Sequence, residues 1–292
     1  MKQILVMMVV LVGCGEKATS PTPKSKPEIP SQAAEAKAQV APAPPPENKP
    51  ITIITMAYTN SLGMIFKSVP GTDVAFSIWE TRAKDYSAYA DTNEGLGELW
   101  KDPDGFAGPF KQELTHPVVM VSVKDAQAFC KWLTKKEIGT GKIQASQKYR
   151  LPKDAEWSIA VGLPEEKGEN LAEKNEGIKG VYPWGNTWPP PKRAGNYQKN
   201  LNVDDFKFTS PVGSFAANKH GLYDLGGNVW EWCEEEFLLD EIIFHVARGA
   251  SWVDAEYDSE LGVRGALLSS CRAGHLPAGN YATGFRCVLV TE

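Results

Sequence analysis

Apolar residues recur at helical spacing in three stretches of this chain. Between Ser122 and Leu133, the residues Val123, Ala126, Cys130 and Leu133 return every three or four positions with polar residues between them, which predicts a helix with one buried face. Ser122 and Asp125 stand three apart at its start, the spacing of a reciprocal capping pair. Leu151 to Val161 (LPKDAEWSIAV) predicts a second helix with Pro152 near its first position, where the missing N–H costs nothing. Thr81 to Tyr89 (TRAKDYSAY) predicts another, with Thr81 as cap. Elsewhere short apolar runs alternate with turns rich in Gly, Asn, Pro and Trp. In Trp230-Glu231-Trp232 the period is two, so an extended backbone sends the Glu231 carboxylate away from both rings. With no internal repeat, this texture predicts a single α+β domain from Ile51 to Glu292.

The first fifty residues have a different pattern. One lysine, Lys2, precedes an apolar run from Ile4 to Val12, and small residues lead into Cys14. This reads as a bacterial lipoprotein signal over residues 1–13, with Cys14 carrying the lipid that holds the protein to a membrane. Gly15, rather than Asp, follows the cysteine, so the outer membrane is expected over the inner one. Residues 14–50 hold nine of the 21 prolines. Such a segment buries too little surface to offset its ordering entropy. It is expected to act as a tether, reaching on the order of 100 Å at ~3.1 Å per residue.

The formal charge of -5 and a pI near 5.6 leave no basic footprint for nucleic acid. His116, His220, His245 and His275 are far apart, and no Ser/His/Asp grouping or phosphate loop is evident.

Six motifs stand in order: HPVVMVSVKDAQAFCKWL from His116, YRLPKDAEWSIA from Tyr149, YPWGN from Tyr182, GLYDLGGNVWEW from Gly221, RGASW from Arg248 and GFRC from Gly284. Together the chain resembles the sulfatase-modifying factor (formylglycine-generating enzyme) domain family, a variant of the C-type lectin fold. The family's oxidase works through two cysteines that hold copper. The corresponding positions here are Asp254 and Ser259, neither of them a soft ligand, so no copper and no oxidase chemistry are expected.

The resemblance also implies two calcium sites. One would use Asn196, Tyr197, Asp204 and Phe206. The other would use Asp224, Gly227, Val229 and Glu231. Irregular turns supplying carbonyls beside a few carboxylates suit a hard cation. The competing reading of the second set is that Asp224 and Glu231 brace a turn and pair with an arginine. By the same resemblance Cys130 and Cys287 are expected to be bonded; Cys233 and Cys271 match no family pair. Arg272 and Arg286 are expected to pair with buried carboxylates or carbonyls.

What remains is a surface. In lectin-like folds the last third forms the ligand-facing loops, and here it carries Trp252, Asp254, Glu256 and Tyr257, then Asp258, His275, Asn280 and Tyr281. These adaptable contact types predict a non-catalytic, calcium-stabilised module binding a protein or glycan. The segment also looks like the variable region of lectin-fold proteins diversified by bacterial retroelements. An enzyme of altered chemistry and a structural surface-assembly lipoprotein are the alternatives.

Overall fold

The computed structural model describes residues 10–11, 57–105, 108–255 and 265–292. The strands are β1 (Val10–Leu11), β2 (Tyr58–Thr59), β3 (Ile65–Ser68), β4 (Val74–Ser77), β5 (Asp104–Gly105), β6 (Gly108–Pro109), β7 (Gln147–Arg150), β8 (Trp230–Leu239), β9 (Ile242–Arg248), β10 (Ala273–His275), β11 (Thr283–Gly284) and β12 (Val288–Thr291). The helices are α1 (Ala83–Ala90), α2 (Val123–Gly139), α3 (Asp154–Val161) and α4 (Leu171–Gly177).

Helix α2 follows the predicted pattern. The Asp125 N–H donates to Ser122 Oγ at 3.1 Å and the Ser122 N–H donates back to the Asp125 carboxylate at 3.1 Å, so two orphan donors are satisfied reciprocally. The helix runs on beyond Leu133 to Gly139, through good helix formers. Glu137 in that extension is buried and accepts from the Tyr58 hydroxyl at 3.0 Å. Helix α1 starts later than Thr81, because Thr81 is claimed by tertiary pairing: its N–H donates to Phe285 O at 2.8 Å and its carbonyl accepts from Val118 at 2.9 Å. Arg82 takes the cap position and pairs with Asp85 at 2.7 Å. Helix α3 begins at Asp154, beyond Pro152, and ends on Gly162 in the left-handed conformation (φ 96°) that closes many helices. Helix α4, capped by Asn170, has no counterpart in the apolar pattern.

Two five-stranded sheets organise the chain. In one, β12 lies between β4 and β7, pairing Leu289 with both Ala75 and Tyr149, so the final strand stitches early and middle segments together. The other runs β1-β10-β9-β8-β11, with β11 parallel to β8. Helix α2 packs against β7 and sends Phe129 into an aromatic core. There it meets Tyr86 at 6.1 Å and Phe285 at 5.4 Å between ring centroids. Trp230 and Trp232 are fully buried from the same face of β8, which leaves Glu231 on the other.

Candidate functional site

The turn entering β8 is unusually bent. Asp224, Gly227 and Asn228 all have left-handed backbones (φ 55°, 82° and 61°). A side chain at Gly227 would collide with the Asn196 carbonyl, so only glycine lets these segments touch. Asn228 ties the region together. Its N–H donates to Asn196 O at 2.8 Å, its side-chain oxygen accepts from Ser210 N at 2.8 Å, and its amide donates to Glu80 Oε1 at 3.1 Å.

The first predicted calcium set is gathered around this contact. Asp204 accepts from the N–H groups of Tyr197 at 3.0 Å and Phe206 at 2.9 Å. Asn196 gives its amide to Phe208 O, while its side-chain oxygen is buried with no partner. An orphaned acceptor is costly in a protein interior and is what a bound cation would satisfy. The residues fit.

The second set fits in part. Both oxygens of Glu231 are engaged: Arg286 donates from Nε at 2.7 Å and from Nη2 at 2.5 Å, and Trp157 donates its indole N–H at 3.0 Å. The carboxylate that alternation turned away from the tryptophans therefore meets an arginine, and the expectation of Glu231 as a calcium ligand is corrected to an ion-pair partner. Asp224 accepts from Gly213 N at 2.6 Å. Beside it sits Glu80, fully buried, with one carboxylate oxygen lacking any partner. Three acids thus share one guanidinium. Burial pushes Glu80 far above the usual carboxylate range, with Asp224 adding to the shift. Asp224 is pushed up to about 6 by burial and by neighbouring Glu231, against the pull of the Gly213 N–H and Arg286. Sequence reasoning passed over Glu80; the signal was a single acid ending the apolar run Val74 to Trp79.

Among the described residues no group of three or more His, Cys, Asp or Glu gathers as a metal cluster. The calcium sets above rely on Asn and carbonyl oxygens as well as on carboxylates.

The C-terminal face differs from expectation. Asp254 Oδ2 accepts from Ser251 N at 2.8 Å, Ser251 Oγ at 2.5 Å and Trp230 Nε1 at 2.9 Å, so it braces the turn instead of facing a ligand. Burial nonetheless pushes its carboxyl up to about 6. His275, 1% exposed, lies against Trp230 and Trp232 and bonds Thr283 Oγ1 at 2.8 Å; burial lowers it to about 3, so it is a neutral core residue. Asn280 turns its side chain onto Ala282 N at 2.8 Å. These three are corrected from ligand contacts to structural groups, because an inward strand position encloses His275, whose Nε2 is left without a partner among the described residues, and tight turns hold Asp254 and Asn280. Trp252 donates to Tyr281 O at 3.2 Å and joins Phe110, Phe208 and Tyr281 in an aromatic cluster. Glu256, Tyr257, Asp258 and Ser259 lie outside the described residues.

All four described cysteines are buried thiols. Cys130 and Cys287 are brought together with their sulfurs 3.6 Å apart, in contact and unbonded. The arginines behave as the sequence predicted. Arg272 pairs with Asp154 at 3.0 Å and Glu166 at 2.6 Å, and Arg286 with Glu231. His116 bonds Thr209 at 2.9 Å, a structural role.

An antiparallel sheet with α2 packed on its β7 edge, a second sheet with one parallel pair, and long irregular turns before the closing strands define an α+β fold of the C-type-lectin kind. The solved structure of CarF overlays it with a TM-score of 0.52 at 22% identity, covering 81% of this chain and 96% of that one. Treponema denticola variable protein 1 does so at 0.52 and 18%, covering 80% and 98%. The chain belongs to the sulfatase-modifying factor family: the sulfatase-modifying factor enzyme 1-like domain matches residues 68–290. Similar proteins include the inactive C-alpha-formylglycine-generating enzyme 2 of Bos taurus, 34% identical over 196 residues, covering 65% of this chain and 55% of that protein. The formylglycine-generating enzyme of Thermomonospora curvata is 34% identical over 153 residues, covering 49% and 41%. The chain thus spans about half the length of the curated relatives it matches.

Proposed function

We propose that this protein is a non-catalytic member of its family, a calcium-braced binding module held to the bacterial outer membrane by lipid on Cys14. One observation carries the reading. Where the family's oxidase has a thiol, Asp254 is bound by three donors into the turn it helps to shape. A carboxylate so engaged is neither nucleophile nor soft metal ligand. The relatives named inactive are compatible with this.

The binding face is the cluster of Trp252 and Tyr281 with the neighbouring loops, and its ligand is a protein or glycan. Tyr281 is the partly exposed ring of the pair and supplies contact area at low entropic cost, while Trp252, 6% exposed, backs it from beneath. Calcium is supported by the orphaned oxygens of Asn196 and Glu80. One ion would be held by Asn196 and Asp204 with the Tyr197 and Phe206 carbonyls and a second by Asp224 with the Gly227 and Val229 carbonyls, and each would supply positive charge to a framework rich in acids. A disulfide between Cys130 and Cys287 is supported by their contact. Counting alkylatable thiols in protein taken from the cell envelope tests it; four reactive thiols in the unfolded protein exclude the bond.

The decisive experiment incubates the full chain with copper, oxygen and a cysteine-containing sulfatase peptide. No aldehyde product is expected by mass spectrometry. Aldehyde formation would overturn the reading. In parallel, Trp252→Ala and Tyr281→Ala are expected to abolish binding on glycan and peptide arrays, and Cys14→Ser to abolish labelling by a fatty-acid probe.

A further inference from the structure

A cavity of about 320 Å³ opens beside the Asp224 turn, apart from Trp252 and Tyr281. Its volume falls at the lower end of small-molecule sites, room for one ring rather than a chain. Of the residues that the sequence singled out as ligands, Asp224 and no other lines it.

The walls are rigid and aromatic. Trp184 is stacked on Tyr182, with centroids 4.8 Å apart and planes 5° from parallel, and its indole N–H is committed to Thr187 O at 2.9 Å. The ring therefore offers the cavity an apolar surface and no donor. Phe215 stands on another wall, and Pro183 and Pro191 add flat, stiff edges.

The charge is at the rim. Arg193 has a left-handed backbone (φ 64°), a conformation that disfavours most side-chain-bearing residues, and its N–H is bonded to Val203 O at 2.7 Å. Its guanidinium lies over the Phe215 ring at 5.8 Å and gives one amino group to Ser214 O at 2.9 Å. Among the described residues it has no carboxylate partner. The other rim cation, Lys192, spends its ammonium on Asn202 O. Asp224, the acid that lines the cavity, is 7% exposed and turned onto the Gly213 N–H, which disfavours an anion at the floor.

We propose that this cavity binds a small ring-shaped carboxylate, its ring against Trp184 and Phe215 and its carboxylate on the free side of Arg193. A planar fork of donors next to an aromatic face suits that ligand, because the guanidinium can pair with a carboxylate bidentately while the rings desolvate the body. An acidic sugar and an aromatic acid share this chemistry. The site is independent of whether the C-terminal face binds anything.

Saturation-transfer NMR and calorimetry of the full chain with glucuronate and benzoate, against glucose and benzyl alcohol, test it. At least one acid is expected to bind about tenfold or more tightly than its neutral counterpart, the size of a charge-assisted hydrogen bond. The preferred acid identifies the source. Arg193→Asn, which keeps a residue tolerant of the left-handed backbone, is expected to remove that preference while leaving the melting temperature unchanged. Trp184→Leu should weaken both acids. Equal binding of acids and neutral analogues, no binding of either acid, or an acid preference that survives Arg193→Asn would each overturn the proposal.

Discussion

Asp154 and Asp224 are both buried aspartates, and they sit in opposite electrical situations. Asp154 lies between two guanidiniums, Arg248 and Arg272, with Glu166 completing the group, so two positive charges face two negative ones. Burial alone would raise its carboxyl; the two arginines outweigh that and hold it below the usual range. Asp224 shares a single guanidinium with Glu80 and Glu231, and burial carries it up to about 6. The first network is balanced in charge, although Arg248 Nε has no partner among the described residues. The second has more negative charge than its arginine can answer, and it is where a proton or a cation has something to stabilise.

The largest difference should appear on removing each acid. Asp154→Ala leaves the buried Arg248 guanidinium with no carboxylate and Arg272 with Glu166 alone, and is expected to cost about 3–5 kcal/mol, read from urea unfolding. Asp224→Asn removes charge from an overfilled site and should cost far less in metal-free protein. Equal losses would erase the contrast between the networks.

Calcium comes next. At a hundredfold excess over its dissociation constant it should stabilise the full chain by about 2.7 kcal/mol, visible as a higher melting temperature that chelator reverses. The double variant Asn196→Ala, Asp224→Asn should lose most of that rise. A melting temperature indifferent to calcium would remove the ion from the account.

Acidity separates the two sites by sign. In metal-free protein the raised Asp224 carboxyl contributes stability that is fully present below about pH 4 and is lost as pH rises through about 6, a change of about 3 kcal/mol. Asp154, held low, contributes stability present above the ordinary aspartate value of 3.8 and lost as pH falls through its folded value. Urea midpoints across this range should therefore show a limb at each end, and Asp224→Asn should shrink the upper one, to which the raised Asp254 carboxyl also contributes, while leaving the lower one in place. The smallest effect is expected at the exposed Lys148–Glu292 pair, where Lys148→Ala should leave the urea midpoint unmoved.

Much of this framework was readable beforehand where its causes are local. The Ser122–Asp125 cap and the spaced apolar face of α2 act within a few residues of each other, so the sequence displays them directly. The alternation at Trp230 to Trp232 likewise told which way Glu231 would point. It could not tell what waited there. Thr81 reads as a cap until Phe285 and Val118 claim its backbone, and His275 and Asn280 read as surface residues until a strand and a turn enclose them. Glu80 looked unremarkable because its neighbours in the acid cluster come from the far end of the chain.

By itself the sequence determined the family, the α+β class and the main helices, all of which depend on residue identity or short-range spacing. Only the tertiary structure decided which charges meet. Arg286 reaches Glu231 across 55 positions and Arg272 reaches Asp154 across 118. Whether a buried acid ends neutralised or in excess depends on every charge brought near it by folding, and the Coulomb interaction has no memory of order along the chain.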